Sequence, residues 1–507
     1  MTVDLTRLFL SARAVGRRAT PKPPPPPHSG IVVGLADSGA PVSWPLPNQE
    51  RAAHAAVWGA SGAGKSALVA GALVREVLRS ASDADARTCL LVVDPKGDLI
   101  ELVLQGLAAE APERLTDVRY LDPFSASAFP FNLCRLPVGS TPLDIRAQQL
   151  AGLVATISTA TGAQAHLGAG ARQLDVLAHV LLACLTSSHE SATVLWALDA
   201  LSVDRGLLQL ANVTTSARAR RFCLTAKLGD ELRVSSASRL RSAFGATESL
   251  ERMMAASACV DLAELLGPGR ICLVNLGRPV GGLSSLQTFF ANLVCRLAVD
   301  HLLDRPSPWH GFPVRVVVDE AQVVAPVLAD RAEVLLTTGR SRGLSLITMS
   351  QGTTLIADAS DTLLRVLLTN CRTSFVGRLA TADAELMAKS RAPGLGSDET
   401  IGAVRSRFAG SVTNLADREF FCLEPGSQVR FRTADVPLAL WAQAAAERSA
   451  ELDGVKRRLG IAPTSANRVS LFDVSPRLRR TRPEAATSTP TATGQEPTAG
   501  KPRSRWG

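Results

Sequence analysis

Eight consecutive residues near the start of the chain have the types and the spacing of a phosphate-binding loop. The stretch GASGAGKS, residues 59–66, matches the pattern GxxxxGK[ST]. Glycines let several backbone N–H groups point at a polyphosphate, and a helix N-terminus behind them favours the same negative charge. Lys65 would reach the β- and γ-phosphates, and Ser66 would ligate Mg²⁺. We therefore predict a nucleotide site formed by Gly59, Ala60, Ser61, Gly62, Ala63, Gly64, Lys65, Ser66 and Ala67.

A pair of acidic residues ends the apolar run Val-Val-Val at 316–318. Hydrolysis of a nucleoside triphosphate needs a carboxylate near the metal ion and a group that orients water, both at the carboxyl edge of the sheet. Asp319 would hold Mg²⁺ through water, and Glu320 would polarise the attacking water. An apolar run that ends in Asp-Glu is also common as a plain strand exit, but the phosphate loop upstream favours the functional interpretation.

Two further residues have both a functional and a structural interpretation. Arg340, in the stretch GRSRG, could stabilise transition-state charge at the γ-phosphate of a neighbouring subunit, or it could be an ordinary exposed arginine at a helix end. Gln351 follows the predicted strand 344–349 and could sense the γ-phosphate, or it could cap the backbone. The residues alone leave both alternatives open.

The stretch Asp94-Pro95-Lys96-Gly97-Asp98 has the composition of a tight turn. It ends a strand that we expect to lie next to the strand of the phosphate loop. Asp94 and Lys96 would then be neighbours of the nucleotide. The alternative is that the stretch is only a turn.

These residues follow short apolar runs that alternate with helical patterns. Strands are predicted at 55–58, 88–93, 271–274, 314–318, 344–349, 373–376 and 419–423. The run TCLLVV at 88–93 is almost entirely apolar, as in a strand buried on both faces of a parallel sheet. The alternation predicts an α/β fold with a central, mainly parallel, doubly wound sheet. Residues 31–35 and 42–46 flank a turn former and predict a hairpin packed beside the nucleotide.

The composition changes along the chain and predicts an all-helical insertion into the α/β domain, because strand candidates are few in its middle. The segments are a disordered proline-rich arm (1–29), a first nucleotide-binding part (30–135), the helical insertion (136–255), a second nucleotide-binding part (256–460) and a disordered basic tail (461–507). Basic residues in the insertion form either a solvated face or a phosphate-contacting surface: Arg218, Arg220, Arg221, Lys227, Arg233, Arg239 and Arg241.

The overall composition excludes several classes of protein. Of 507 residues, 46% are hydrophobic and 20% charged, which describes a globular protein. The formal charge of +9 is compatible with a polyanionic partner. Nine scattered cysteines lack the spacing of a metal site or a disulfide framework, so we expect reduced thiols. No apolar stretch reaches the roughly 18 residues of a membrane helix. We therefore predict a cytoplasmic location, either free or peripheral at the inner face of the membrane through a partner.

Together the motifs resemble one family. The similar stretches are RAAHAAVWGASGAGKS (51–66), LVVDPKGD (91–98), FPFN (129–132), VVVDEAQ (316–322), GRSRG (339–343) and SQ (350–351). They resemble those of the conjugative coupling ATPases of type IV secretion. These TraG/TraD-type proteins belong to the FtsK/HerA branch of P-loop ATPases. The resemblance covers roughly residues 30–440, most of the chain.

The resemblance implies a RecA-like P-loop NTPase that forms a homohexameric ring, with nucleotide sites between subunits and DNA in the central channel. Its motif positions imply that Lys65 and Ser66 hold ATP and Mg²⁺, that Asp319 and Glu320 form the second acidic motif, and that Arg340 acts in trans. The insertion corresponds to the family's all-α domain, which meets relaxase-bound DNA. Because membrane helices usual in that family are not found in this sequence, a separate small membrane protein would recruit the chain, or it works as a soluble translocase.

We therefore expect an ATP-driven DNA translocase that moves DNA, or a relaxase–DNA complex, toward a secretion channel. DNA contact would be independent of base sequence, because aromatic residues make up only 4% of the chain and no base-reading module is visible. Two alternatives stay open. One is a soluble HerA-like helicase or translocase in repair or defence. The other, motivated by the proline-rich arm and basic tail, is an ATP-regulated docking hub that recruits protein substrates without moving DNA.

Overall fold

A computed structural model describes most of the chain. The described residues are 31–44, 54–82, 87–125, 129–136, 141–156, 170–256, 258–277, 284–391, 400–425, 427–460 and 469–474. The proline-rich arm (1–29) and most of the basic tail lie outside them. The described tail residues 469–474 pack against the helical segment, because Leu471 is fully buried and Val469 O accepts a hydrogen bond from Trp196 Nε1 at 2.9 Å, so the predicted disorder does not extend to them.

The fold is built on one eleven-stranded sheet with the order β2-β1-β11-β10-β9-β3-β8-β7-β4-β6-β5. The strands are β1 Ile31–Ala36, β2 Pro41–Trp44, β3 Ala55–Trp58, β4 Cys89–Asp94, β5 Val118–Leu121, β6 Ile271–Asn275, β7 Val314–Val318, β8 Leu344–Ser350, β9 Thr373–Val376, β10 Glu419–Glu424 and β11 Ser427–Thr433.

The strands from β9 to β5 in this order pair in parallel, and those from β10 to β2 pair in antiparallel fashion. Every residue of β3, β4, β6, β7 and β8 is buried, as expected for strands covered by helices on both faces. The predicted fold class, an α/β protein with a mainly parallel sheet, is confirmed.

Helices cover both faces of the sheet. They are α1 Lys65–Ser82, α2 Asp98–Glu110, α3 Leu143–Thr156, α4 Ala171–Leu185, α5 Leu195–Ser202, α6 Gly206–Val213, α7 Ala217–Thr225, α8 Asp230–Phe244, α9 Glu248–Ala255, α10 Leu262–Leu265, α11 Ser284–Leu303, α12 Ala325–Thr338, α13 Thr353–Ala359, α14 Asp361–Asn370, α15 Thr381–Arg391, α16 Ile401–Thr413, α17 Leu438–Glu447 and α18 Ser449–Arg457. Among the described residues, no helix has the length and apolar character needed to span a bilayer.

The helices pack in two layers. Buried side chains of α1, α2, α17 and α18 form one core with one face of the sheet. Those of α3–α16 form a second core with the other face. The helical segment between β5 and β6 therefore shares its core with the sheet and does not enclose a separate one.

Several of the basic residues in this helical segment are held by other residues of the segment. Arg233 pairs with Asp204 and Asp230, and Arg220 donates to the backbone oxygen of Ala211. Others are exposed: Arg221, Lys227 and Arg241. The solvated-face interpretation therefore suits part of the group, and the phosphate-contacting interpretation stays open for these three exposed cations.

The predicted hairpin forms, because β1 and β2 pair in antiparallel fashion, but its predicted place beside the nucleotide is wrong. Three strands, β11, β10 and β9, separate it from β3. The hairpin instead lies at an edge of the sheet, where Val32 O accepts a hydrogen bond from Arg75 of α1. Strand pairing over such a distance in the chain leaves no local signal in the sequence.

The expectation that β4 neighbours β3 is also wrong. Strands β8 and β7 lie between them. The turn after β4 is therefore a direct neighbour of the acidic pair after β7, rather than of the phosphate loop itself.

A buried ion pair ties α1 to the strand before the acidic pair. Arg315 of β7 is fully buried, and its Nε lies 2.9 Å from Glu76 Oε1 of α1. Its Nη1 donates to Ser345 Oγ of β8 at 3.0 Å. The pair therefore fixes α1, which follows the phosphate loop, against β7 and β8.

Replacing Arg315 with alanine is expected to lower the free energy of unfolding by about 3–5 kcal/mol, because Glu76 would stay buried without a partner. Urea-induced unfolding followed by circular dichroism measures the change. Arg448→Ala is the control, since it removes the exposed pair with Glu451 and should cost about 1 kcal/mol or less. The double variant Arg315→Met/Glu76→Met should regain most of the loss. A single variant that unfolds like the control would contradict the role of this pair.

Candidate functional site

The phosphate loop lies at the carboxyl edge of the sheet, between β3 and α1. Gly59 N donates to Ser350 O of β8 at 3.2 Å, and Ala60 N donates to Arg378 O after β9 at 2.7 Å. Gly62 and Gly64 have φ angles of 81° and 95°, which side chains with a Cβ atom rarely adopt. The loop is thus fixed from both neighbouring strands and leads into α1 at Lys65.

Lys65 points into the loop. Its Nζ donates to Gly59 O at 2.6 Å and to Ala60 O at 3.1 Å. Burial lowers the pKa of Lys65, against the opposing effect of the nearby carboxylates of Glu320 and Asp319. The amine is therefore oriented over the loop and lies within electrostatic reach of the acidic pair. Ser61 and Gly62 are exposed at the mouth of the loop, whereas Ser66 and Ala67 are half-buried in the first turn of α1.

The acidic pair ends β7 beside the loop. Asp319 and Glu320 are only 4% and 5% exposed. Asp319 N donates to Val93 O, and Asp319 Oδ1 accepts a hydrogen bond from Glu320 N at 2.9 Å. Burial, together with the negative charges of Asp94 and Glu320, raises the pKa of Asp319 to about 7. The structure therefore concentrates three carboxylates near Lys65.

This donor set fits a magnesium ion. The crowding of Asp94, Asp319 and Glu320 disfavours an ionised Asp319, and a divalent cation would relieve that repulsion. Mg²⁺ usually binds one or two protein oxygens and takes its remaining ligands from water and substrate phosphates, so Asp319 and Ser66 would be enough protein ligands to hold it.

Glu320 has a strained backbone and a crowded carboxylate. Its φ of 49° is unusual for a residue other than glycine. Oε1 accepts hydrogen bonds from Lys96 Nζ and from Gln351 Nε2, the latter at 2.8 Å, and Oε2 accepts one from Gln322 Nε2 at 2.5 Å. Burial raises the pKa of Glu320, but these three bonds outweigh it and hold the pKa below its usual value. The side chain is therefore fixed, ionised and directed into the site.

The turn after β4 places its two predicted residues differently. Asp94 is completely buried, and it accepts hydrogen bonds from Lys96 N at 2.8 Å and Ile100 N at 3.1 Å. Asp94 therefore fastens the turn to the start of α2, which supports the interpretation as a turn. Lys96 instead projects its ammonium to Glu320, so the same turn also contributes to the site.

Arg340 lies at the amino ends of the parallel strands, whereas the phosphate loop of its own chain lies at their carboxyl ends. It sits in the short helical turn Gly339–Arg342, which precedes the amino end of β8. The loop and Gln351 lie at the carboxyl end of β8, and a seven-residue strand spans about 20 Å. Arg340 is exposed, and its charge lowers the pKa of His54 just before β3, after the larger effect of burial. It therefore cannot reach the loop of its own chain.

Hydrogen bonds from neighbouring segments hold the turn that carries Arg340. Trp309 N donates to Ser341 O at 2.8 Å, and Arg342 Nη1 donates to the backbone oxygens of Leu303 and Arg305. The guanidinium of Arg305 in turn lies 4.6 Å from the Trp309 ring centroid. The backbone of Arg340 is thus held firmly while its side chain remains exposed.

The structure also brings residues to the site that the sequence did not single out. Gln322 bridges Glu320 and Ser350, whose Oγ lies 3.2 Å from Gln322 Oε1. Arg418 N donates to Ala63 O of the loop at 3.1 Å, and Arg418 has a φ of 67°. Gln322 lies within the acidic motif and could have been noticed there. Arg418 comes close only through tertiary packing and has no signal in the sequence.

The comparisons with known proteins rest on structure alone. No family model matches this sequence, and no curated protein matches it. VirB4 of Thermoanaerobacter pseudethanolicus superposes with a TM-score of 0.54 at 15% identity, over 81% of this chain and 97% of that one. The plasmid coupling protein TrwB, solved with the ATP analogue ADPNP and with ADP and Mg²⁺, superposes with a TM-score of 0.50 at 16% identity, over 80% of this chain and 90% of each TrwB chain. The chain therefore shares its fold with these proteins.

Proposed function

We propose that the chain is an ATPase that hydrolyses ATP at the interfaces of a ring and uses the energy to move DNA. The observation that carries the proposal is the meeting of Lys65, Asp319, Glu320 and Gln351 at one edge of the sheet, with Arg340 at the other. The first four are the hydrolytic groups that one subunit contributes. The fifth is a transition-state cation that only a second copy could deliver.

Within one subunit, each residue has a distinct role. The loop amides and Lys65 bind the β- and γ-phosphates, and Ser66 and Asp319 hold Mg²⁺, which neutralises phosphate charge when bound. Glu320 orients the attacking water and accepts its proton. Gln351 fixes the Glu320 carboxylate through the 2.8 Å hydrogen bond. ATP and Mg²⁺ as cofactors agree with the ligands named for the TrwB structures.

Between subunits, the separation of Arg340 from its own loop favours a head-to-tail arrangement. A heterologous contact that repeats around an axis closes into a ring, and each interface then pairs one loop with one Arg340. We propose a homohexamer, in which Arg340 of one subunit reaches the terminal phosphate bound to the next.

The proposed substrate is DNA, bound without regard to base sequence. The formal charge of +9 and the exposed cations Arg221, Lys227 and Arg241 on the helical segment favour a phosphate backbone. Likeness to a plasmid coupling protein and to VirB4 favours a role in type IV secretion, in which a relaxase, a secretion channel or a small membrane anchor would be the protein partners.

ATP turnover measured against protein concentration, with and without DNA, tests this function. We expect turnover to rise more steeply than linearly with concentration, because the site is completed by assembly, and to be stimulated by DNA. Lys65→Ala should abolish it. Lys456→Ala is the control, because Lys456 lies on α18 and forms its ion pair with Glu101 of α2. Turnover that is linear in concentration and indifferent to DNA would contradict the ring motor and favour the docking hub.

A further inference from the structure

Lys96 lies in the turn after β4, and the proposed hydrolysis gives it no role. Its ammonium donates to Glu320 Oε1, the oxygen that also accepts from Gln351. Gln322 occupies the other oxygen. The carboxylate that should orient water is thus engaged by three donors, of which only Lys96 carries a charge. Removing that donor would leave the two amides, which hold the carboxylate in place without neutralising it.

The backbone beneath Lys96 is rigid. Asp94 accepts hydrogen bonds from Lys96 N and Ile100 N, and Gly97 adopts a φ of 86°. A Cβ atom on Gly97 would lie 2.8 Å from Asn275 Oδ1, so the turn also packs tightly against the end of β6. Any movement of the ammonium must therefore come from the side chain of Lys96 alone.

The side chain of Lys96 is the more exposed member of the pair. It is 47% exposed, against 6% for Glu320. Gln351, which shares Glu320 Oε1 with Lys96, directly follows Ser350, and Ser350 O accepts a hydrogen bond from Gly59 N of the phosphate loop. A terminal phosphate held in the loop would therefore compete with Glu320 for Lys96, and it carries more negative charge than a single carboxylate.

We propose that Lys96 binds the γ-phosphate of the bound nucleotide when one is present. With a diphosphate it stays on Glu320 and neutralises it; with a triphosphate it moves to the γ-phosphate and leaves Glu320 to the two glutamines. This inference rests on the proposed function and assigns Lys96 to the choice between ATP and ADP. The motion is a rotation of one side chain on a fixed turn.

Binding of ADPNP and of ADP, each with Mg²⁺, tests the proposal by calorimetry on the full chain. Lys96→Met should lower the affinity for ADPNP about tenfold, because a charge-assisted contact to phosphate is lost, and should change the affinity for ADP less than about twofold. Lys96→Arg should keep most of the preference. Lys456→Met, which removes another ion-paired lysine, should leave both affinities unchanged. If Lys96→Met fails to fold, Lys96→Gln takes its place.

The outcomes separate this inference from the proposed function. If Lys96→Met loses affinity for ADPNP and ADP equally, or loses affinity for neither, the inference is overturned. The proposed ATPase function would then still stand. If the unaltered chain binds neither nucleotide, or if Lys65→Ala binds both as well as the unaltered chain does, the proposed function fails, and this inference fails with it.

Discussion

Replacing Arg340 with alanine is expected to lower ATP turnover by about 10³-fold or more while leaving ATP affinity nearly unchanged. The reason is geometric. Arg340 lies at the amino end of β8 and the loop at its carboxyl end, so Arg340 takes no part in binding nucleotide to its own chain. Steady-state turnover and equilibrium binding of ADPNP separate the two effects. Arg365→Ala, which removes an exposed arginine paired with Asp361 on α14, is the control and should retain activity.

Mixing two inactive variants tests whether Arg340 acts between subunits. Lys65→Ala has an intact Arg340 but no working loop, and Arg340→Ala has the reverse. If subunits exchange at random in a 1:1 mixture, about a quarter of head-to-tail interfaces pair a working loop with a working arginine. Turnover should therefore reappear on mixing. A mixture as inactive as its components, although the variants assemble together, would contradict action in trans.

Replacing Glu320 with glutamine is expected to lower the hydrolytic rate by about 10²–10⁴-fold, because the site would lose the group that accepts a proton from water. The change is nearly isosteric, and the amide oxygen can still accept a hydrogen bond from Lys96 or Gln351. ATP should therefore bind at least as tightly as before. Single-turnover hydrolysis with enzyme in excess measures the chemical step apart from product release.

The matched control is Glu264→Gln, which changes a glutamate paired with Arg119 beside β5, away from the site. It should hydrolyse ATP at the unaltered rate. A Glu320→Gln variant that loses ATP binding as well as hydrolysis would show that Glu320 chiefly maintains the site. A variant that hydrolyses normally would remove Glu320 from the chemistry.

The elements that the sequence predicted well are those specified by local pattern. The run 55–58, the loop and the helix after it appear as β3, the phosphate loop and α1, because glycine spacing and uninterrupted apolar runs act over a few residues. The runs at 314–318 and 344–349 likewise appear as β7 and β8. Strands β5 and β11 were not predicted, since the sequence VRYL of β5 has an arginine among its few apolar residues and β11 alternates polar side chains at the antiparallel side of the sheet.

What the sequence could not supply is the order of the strands. The hairpin and β4 were both placed too near the loop, because pairing between distant segments depends on how the whole sheet closes its core and not on the segments themselves. The contact between Lys96 and Glu320 depends on that order: it exists because β4 and β7 are neighbours. The roles of Lys65, Asp319, Glu320 and Gln351 stay predictions, now with defined geometry.

The sequence by itself therefore determined the α/β fold class and predicted the chemistry that the fold would carry, a phosphate loop and an acidic pair at a strand end. Residue type and short-range spacing are enough for these, since they arise within single strand-loop-helix units. The tertiary structure alone decided which units meet. It brought Lys96 and two glutamines onto Glu320, and it put Arg340 at the far end of β8. Parallel strands send every carboxyl end to one edge and every amino end to the other, so the sheet separates Arg340 from its own loop.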